Sequence, residues 1–200
     1  MDRRDFEIIE REELYNGFFK MCKYSLKHRT FSGEWSSVLS REIFERGGVA
    51  AVIPFDPIRD EVVLIEQFRP GPMAAGHSNP WTVEIVAGIL EEGETPEALA
   101  HRETEEETGG ILQELVYVNN FFMAPGSSSE LCHLLCGQID ATNIGGIHGN
   151  VEEGEDIRVF SEPATAAFKR VKHGEIASAF SIIGLQWLEL NREALRRRWT

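Results

Sequence analysis

Two hundred residues, 42% hydrophobic and 26% charged, suffice for one large domain or for a core with a small extension. A formal charge of -13 excludes nucleic-acid backbones and anionic membranes as partners, because no broad basic surface exists to release counterions, and an anionic substrate would need the help of a metal. Three cysteines, Cys22, Cys132 and Cys136, without a signal peptide or an apolar run of transmembrane length, argue against a disulfide framework and for a soluble cytoplasmic protein.

The first part of the chain reads as strands. Phe6 to Glu10, Phe18 to His28 and Trp35 to Glu45 are aromatic or β-branched stretches punctuated by the turn signals Asn16-Gly17 and Ser32-Gly33, the pattern of an antiparallel sheet. After Gly47-Gly48, the apolar runs Val49 to Phe55 and Glu61 to Phe68 flank Asp56-Pro57-Ile58-Arg59-Asp60, a loop of hairpin length. Trp81 to Ala87 is a further strand that leads to Gly88; Val116 to Met123 and Leu131 to Gln138 continue the sheet. Two C-terminal helices are expected. One follows Ser161, with Pro163 near its start and Gly174 beyond its end, and the other carries Ile182, Ile183, Leu185, Trp187, Leu188 and Leu190. Strands interleaved with helices imply an α/β sandwich.

Between these strands lies a helix of unusual composition. Thr95 suits an N-cap, Pro96 the first helical position, Leu99 an apolar contact and Gly109-Gly110 a left-handed exit, so a helix is predicted over 96–108. Spacings of three and four place Glu103, Glu106 and Glu107 within an arc of roughly 100°. Each like-charged pair costs a few tenths of a kcal/mol on an exposed helix and more when buried. A divalent cation relieves that cost, and oxygen-only ligands favour Mg2+, with Mn2+ as a substitute, over zinc. Arg102 lies four residues before Glu106 and is placed to pair with it. A run of glutamates alone is more often a solvated helix face, and Glu91, Glu92, Glu97 and Glu105 keep that reading. His77, His101, His133 and His148 lack metal-spaced partners, and Cys132 and Cys136 lack a second ligand pair.

What reverses the reading for the other glutamates is spacing. Gly88, Glu94, Arg102, Glu103, Glu106, Glu107 and Gly109 stand in the order Gly-x5-Glu-x7-Arg-Glu-x-x-Glu-Glu-x-Gly, a match whose accidental probability is on the order of 1 in 10,000 or less. The stretch resembles the Nudix box at every invariant position, with Thr104 and Gly110 where that box prefers apolar residues and weaker helix packing is expected. Pro125, sixteen residues after Gly109, matches the marker of the ADP-ribose pyrophosphatase branch. Phe18-Phe19, Arg41 to Gly47, Val63 to Gln67, Gly146 to Gly149 and Leu185 to Leu188 extend the resemblance over nearly the whole chain.

The resemblance implies an α/β/α Nudix sandwich over 48–200 preceded by an N-terminal antiparallel β-sheet domain over 1–47, assembled as a homodimer with exchanged N-terminal domains. It implies metal binding by the Ala87 carbonyl, Glu103, Glu107 and Glu155, with Glu153 as catalytic base and Glu106 close by. The residues themselves do not separate Glu153 from Glu152 in the acidic loop Gly149 to Asp156. It further implies substrate recognition by Phe18, Phe19, Arg41, Glu42, Arg46, Arg69, Ile89, Glu130 and the Ala124-Pro125 backbone, with Ser127-Ser128-Ser129 replacing a glycine-rich turn. These residue types suit stacking on adenine, forked contacts to phosphate and hydrogen bonds from ribose. The implied reaction is Mg2+-dependent hydrolysis of ADP-ribose to AMP and ribose 5-phosphate. Other nucleoside diphosphate sugars or dinucleotides are alternative substrates, and a non-catalytic ADP-ribose sensor is the alternative of a different class.

Overall fold

The computed structural model describes residues 5–150 and 154–200. Two compact units are present, one formed by Met1–Gly48 with Phe122–Leu131 and the other by Val49–Phe121 with Cys132–Thr200. Each is taken in turn.

The first unit is a three-stranded antiparallel sheet of β1 (Phe6–Asn16), β2 (Lys20–His28) and β3 (Leu39–Glu45), in that spatial order. β1 runs past Glu10, where the apolar signal stops, because Arg11, Glu12 and Glu13 continue the ladder opposite Tyr24, Lys23 and Cys22. It is exposed along its length, including Phe6, Ile8, Ile9, Leu14 and Tyr15. The later segment joins this unit through the backbone. The Phe44 N–H donates to Ser127 O at 2.8 Å and the Ser129 N–H to Phe44 O at 3.1 Å, so 122–131 forms a parallel bridge to β3 at Phe44, on the side away from β2.

One polar network ties the three strands. Glu45 accepts from Arg11 through Nε at 3.1 Å and Nη2 at 2.5 Å, and from the Tyr24 hydroxyl. Hydrogen bonds first from Arg11 and then from Tyr24 hold the Glu45 carboxyl down, from its ordinary 4.5 to about 2.

The second unit carries an eight-stranded sheet. Its order is β10 (Gly146–His148), β11 (Ile157–Pro163), β5 (Glu61–Phe68), β4 (Val49–Asp56), β9 (Leu131–Gln138) and β8 (Leu115–Phe122), with β6 (Trp81–Glu84) on β5 and β7 (Val86–Ile89) on β4. β4 is buried at every residue and lies parallel to β9, consistent with its unbroken apolar run. The hairpin from β4 to β5 closes on Asp56, whose Oδ1 accepts the N–H groups of Ile58 and Arg59, each at 2.9 Å, while Oδ2 takes that of Ala141 at 3.0 Å. The single strand expected over 81–87 is two. β6 and β7 pair with different neighbours and part at Ile85, whose N–H is caught by the buried Ser181 Oγ at 3.1 Å.

Side-chain parity defines the layers. Ala50, Val52, Val63, Ile65 and Val86 form one cluster with Leu99 and Ala100 of α2 (Pro96–Thr108). Ile53 and Ile85, of opposite parity, meet Gly184 of α4 (Ala179–Trp199) so closely that a Cβ there would lie 3.1 Å from Ile53 Cγ1. Successive strand residues face opposite sides, so α2 and α4 cover opposite faces of the sheet in an α/β/α sandwich. α3 (Ala164–Lys172) begins just after Pro163 and packs beside α4. Three elements were not anticipated from sequence: the short α1 (Pro70–Ala74), β10, and β11, which occupies residues expected to lead straight into a helix. Among the described residues no helix is long and apolar enough to cross a membrane, and Cys22, Cys132 and Cys136 are buried and unbridged.

The Glu45 network sets a pH dependence. Because its carboxyl sits below the ordinary value in the folded chain, its contribution is present above about pH 4.5 and is lost as pH falls through about 2. Glu45→Gln should therefore melt below the wild type at pH 7, and the gap between the two melting temperatures should close toward pH 2.

Candidate active site

α2 is built as its sequence implies. The Thr95 side chain accepts the Ala98 N–H at 3.2 Å, Pro96 opens the first turn, and Gly109 closes the helix at φ 68° with its N–H on Glu105 O at 2.9 Å. A residue with a Cβ would be strained at that left-handed cap. The expected weak packing at Thr104 and Gly110 is not found. Thr104 is fully buried with its hydroxyl donating to Ala100 O at 2.7 Å, so its methyl serves the interior without an orphan donor. At Gly110 a Cβ would lie 2.6 Å from Ile139 Cδ1, so the position is packed too tightly for a side chain.

The box residues converge on Arg102. Its guanidinium donates to Glu94 through Nε at 3.0 Å and Nη2 at 3.1 Å, and Nη1 reaches Glu103 Oε1 at 2.9 Å and Glu106 Oε2 at 3.1 Å. Glu94 also accepts the Glu91 N–H at 3.1 Å. It is thus a forked anchor that fixes Arg102 and, through it, two glutamates of the helix; hydrogen bonds from Arg102 and then from the Glu91 amide hold its carboxyl below the ordinary range. Gly88 of β7 explains the first letter of the spacing, since a Cβ there would sit 2.6 Å from Glu103 Cγ and drive helix and strand apart.

The three glutamates on the shared arc have different surroundings. The Glu106 side chain is 60% exposed, that of Glu103 15%, and Glu107 is 4% exposed. Burial pushes the Glu107 carboxyl well above the ordinary range, the charges of Glu103 and Glu155 add to the shift, and Arg69 opposes it. Glu103 is also raised, chiefly by burial and against the pull of Arg102. Glu155 takes the Asn150 N–H on Oε2 at 3.1 Å and returns its own N–H to Asn150 O at 3.0 Å. Glu153 and Glu152 lie outside the described residues.

Arg69 belongs to the same electrostatic group. Burial works against its charge, but Glu84 outweighs that, followed by Glu107 and Glu155, so it is held protonated. Its Nε and Nη2 both donate to Glu84 Oε2, at 3.2 and 2.8 Å, and the Thr82 hydroxyl occupies Glu84 Oε1 at 2.8 Å. Glu84 and Thr82 escaped the sequence reading. The available signal was their i, i+2 spacing in a strand opposite β5, which ends one residue before Arg69, and reading it requires the register.

In the first unit, Phe19 meets Phe18 edge-on and Phe44 at a tilt, at centroid distances of 4.7 and 4.9 Å, and the Arg46 guanidinium lies 5.3 Å from the Phe19 ring centroid. Arg46 Nε is 3.0 Å from Glu130 Oε2, an ion pair without a formed hydrogen bond. Ser129 Oγ both accepts the Arg46 N–H and donates to Arg46 O, each at 3.1 Å, and Ser128 Oγ accepts the Glu130 N–H at 3.1 Å. The serines thus hold the residues that the glycine-rich turn was expected to serve. Ala124 O receives the N–H groups of Ser127 and Ser128, at 3.0 and 2.8 Å. Arg41 and Glu42, adjacent on β3, face opposite sides of that sheet; Phe44 shares parity with Glu42, so Arg41 is not brought to the Phe19 cluster. Ile89 ends β7, partly exposed.

The NUDIX domain family matches residues 45–180. The chain belongs to the Nudix family. It is 47% identical over 197 residues to the ADP-ribose pyrophosphatase of Escherichia coli (strain K12), covering 98% of this chain and 94% of that one. It is 39% identical over 199 residues, with 98% and 92% coverage, to the ADP-ribose pyrophosphatase of Haemophilus influenzae (strain ATCC 51907 / DSM 11121 / KW20 / Rd). The GDP-mannose pyrophosphatase of Cronobacter sakazakii (strain ATCC BAA-894) is 34% identical over 150 residues, with 75% and 78% coverage. A crystal structure of an ADP compounds hydrolase shares the fold, with a TM-score of 0.68 at 17% identity over 94% of this chain and 96% of that one.

Nudix ADP-ribose pyrophosphatases are metal-dependent, and the donor set here fits a hard divalent cation. All the candidate ligands are oxygens, and Glu107 Oε2 is buried without a hydrogen-bond partner, an orphan whose cost an ion would remove. Among the described residues no three acidic, His or Cys side chains are drawn around one point; Arg102 engages Glu103 and Glu106 in this arrangement.

The Glu107 carboxyl fixes the sign of a stability effect. With its folded value well above 4.5, the folded chain binds the extra proton, so metal-free stability falls as pH rises from about 4.5 through the folded value. Glu107→Gln should raise the melting temperature of the metal-free protein at neutral pH and flatten that slope, as thermal melts in EDTA at pH 5 to 8 would reveal.

Proposed function

We propose that this Nudix protein hydrolyses the diphosphate of ADP-ribose to AMP and ribose 5-phosphate with Mg2+, for which Mn2+ can substitute. The observation that carries the reading is the buried, unpartnered Glu107 Oε2 beside Glu103 and Arg69, an arrangement that is costly alone and useful with a cation and a diphosphate. The names of the relatives at 47% and 39% identity supply the nucleoside and sugar.

Glu103, Glu107, Glu155 and the Ala87 carbonyl are the proposed ligands, with Glu106 close by on the exposed rim of the helix. When bound by these ligands, a divalent cation would neutralise diphosphate charge and lower the pKa of water. Arg69, fixed by Glu84, donates to phosphoryl oxygen. Glu153 is the proposed base: its carboxylate takes a proton from water as the oxygen bonds to the adenosyl phosphorus and the bridging P–O bond breaks. Phe18 and Phe19 offer aromatic faces to adenine. Arg41, Glu42, Arg46, Glu130, Ile89 and the Ala124-Pro125 backbone complete the proposed recognition set.

A homodimer with exchanged N-terminal domains, bounded at 1–47 and 48–200, belongs to the same proposal. The exposed apolar residues along β1 support it, since a long bare edge strand calls for a partner. A cytoplasmic location is part of the same proposal. The GDP-mannose pyrophosphatase likeness favours other nucleoside diphosphate sugars as the second reading.

Chromatography of a reaction with ADP-ribose should yield AMP and ribose 5-phosphate in Mg2+ and nothing in EDTA. Glu153→Gln should lower kcat by about 10²–10⁴ with little change in binding. ADP-ribose bound but uncleaved in Mg2+ or Mn2+ would instead make the protein a sensor, and preference for GDP-mannose would move it to the second reading.

A further inference from the structure

Gln67 is 6% exposed, and its side-chain amide has a buried Nε2 without a hydrogen-bond partner. A carboxamide placed in this way forfeits the hydrogen bonds it makes with water, so it calls for a specific acceptor. The register identifies where it points. Gln67 pairs with Thr82 and Ile65 with Glu84 across β5 and β6, and directly opposed residues share a face. Ile65 packs in the cluster that holds Leu99 and Ala100 of α2. Gln67, Thr82 and Glu84 therefore project from the sheet face that α2 covers, as does Arg69, which the Glu84 contact places beside them. Both Glu84 oxygens are engaged, Oε2 by Arg69 and Oε1 by Thr82. Each Glu84 oxygen thus already accepts from another side chain, and Gln67 Nε2 bonds to neither.

We infer that Gln67 is a substrate contact, its carboxamide donating to a non-bridging oxygen of the nucleoside diphosphate alongside the guanidinium of Arg69. The inference rests on the diphosphatase reading above. Its chemistry is that of a neutral donor, which adds a directed hydrogen bond without altering the charge that the cation and Arg69 must balance. It concerns the diphosphate alone, not the base or the terminal sugar.

The test is Gln67→Met, which keeps length and removes the amide, with Gln67→Asn, which keeps the amide but withdraws it, as the second variant. Steady-state kinetics on ADP-ribose, calorimetric affinity for ADP with Mg2+ and thermal melting are measured for all three proteins. Loss of a hydrogen bond to a charged group should lower kcat/KM and ADP affinity by about ten- to hundredfold in both variants, while the Gln67→Met melting temperature is not lowered. Kinetics and ADP affinity within about twofold of wild type, in whichever variant folds, would overturn the inference and leave Gln67 a buried structural amide. If the wild type leaves ADP-ribose intact but binds ADP, the function reading fails and the ADP affinities alone decide this one. A wild type that does not bind ADP overturns both.

Discussion

A single guanidinium has to manage the crowding of carboxylates at one end of this sheet. Arg102 is forked onto Glu94 and reaches Glu103 and Glu106 with its remaining nitrogen. Without it Glu103 and Glu106 would lose their paired counter-charge, and with it the balance is still negative, because Glu107 is buried and Arg69 only partly offsets its shift. The desolvation of Glu107 is the larger effect. Like charges three or four residues apart cost a few tenths of a kcal/mol on an open helix, whereas an unpaired buried carboxylate costs several. The fold leaves Glu107 Oε2 unpartnered and pairs Glu94, Glu103 and Glu106 with Arg102, which is the distribution expected where a cation is to bind.

The scaffold makes that distribution rigid. β4 is buried throughout, and the two helical layers lie on faces separated by strand parity, so a residue's position in its strand decides whether it sees α2 or α4. Gly88 lets the Glu103 side chain lie against β7. The break at Ile85, capped by Ser181, allows β6 to carry Glu84 toward Arg69 while β7 carries Ala87 and Gly88 to the helix. One hydrogen bond from α4 therefore stands behind two consecutive elements of the site.

The helix, its caps and its arc of glutamates were legible because they are local: Thr95, Pro96 and Gly109 act within a turn, and 3.6-residue periodicity needs no partner. The identity of the Arg102 partner at Glu106 was legible for the same reason. Its stronger partner, Glu94, was visible only as a letter in a spacing, since the fork forms across a loop. Glu84, Thr82 and Gln67 were illegible as a group because they acquire meaning from the pairing of β5 with β6. β11 was hidden by Pro163, read as a helix-start signal for the stretch after Ser161, although the strand runs through Ser161 to Pro163 before the helix begins. The serines at 127–129 looked like a departure from a turn; the hydroxyls of Ser128 and Ser129 in fact bind backbone groups of Glu130 and Arg46. Glu153 rests on resemblance alone, outside the described residues.

The central claim is that the glutamates of α2 hold a divalent cation. Its most direct test is a Mn2+ titration followed by electron paramagnetic resonance, comparing wild-type protein with Glu103→Gln/Glu107→Gln. Saturable binding in the wild type that is lost in the double variant is the result this account predicts. Equal binding by the two proteins would place the ion elsewhere and contradict it.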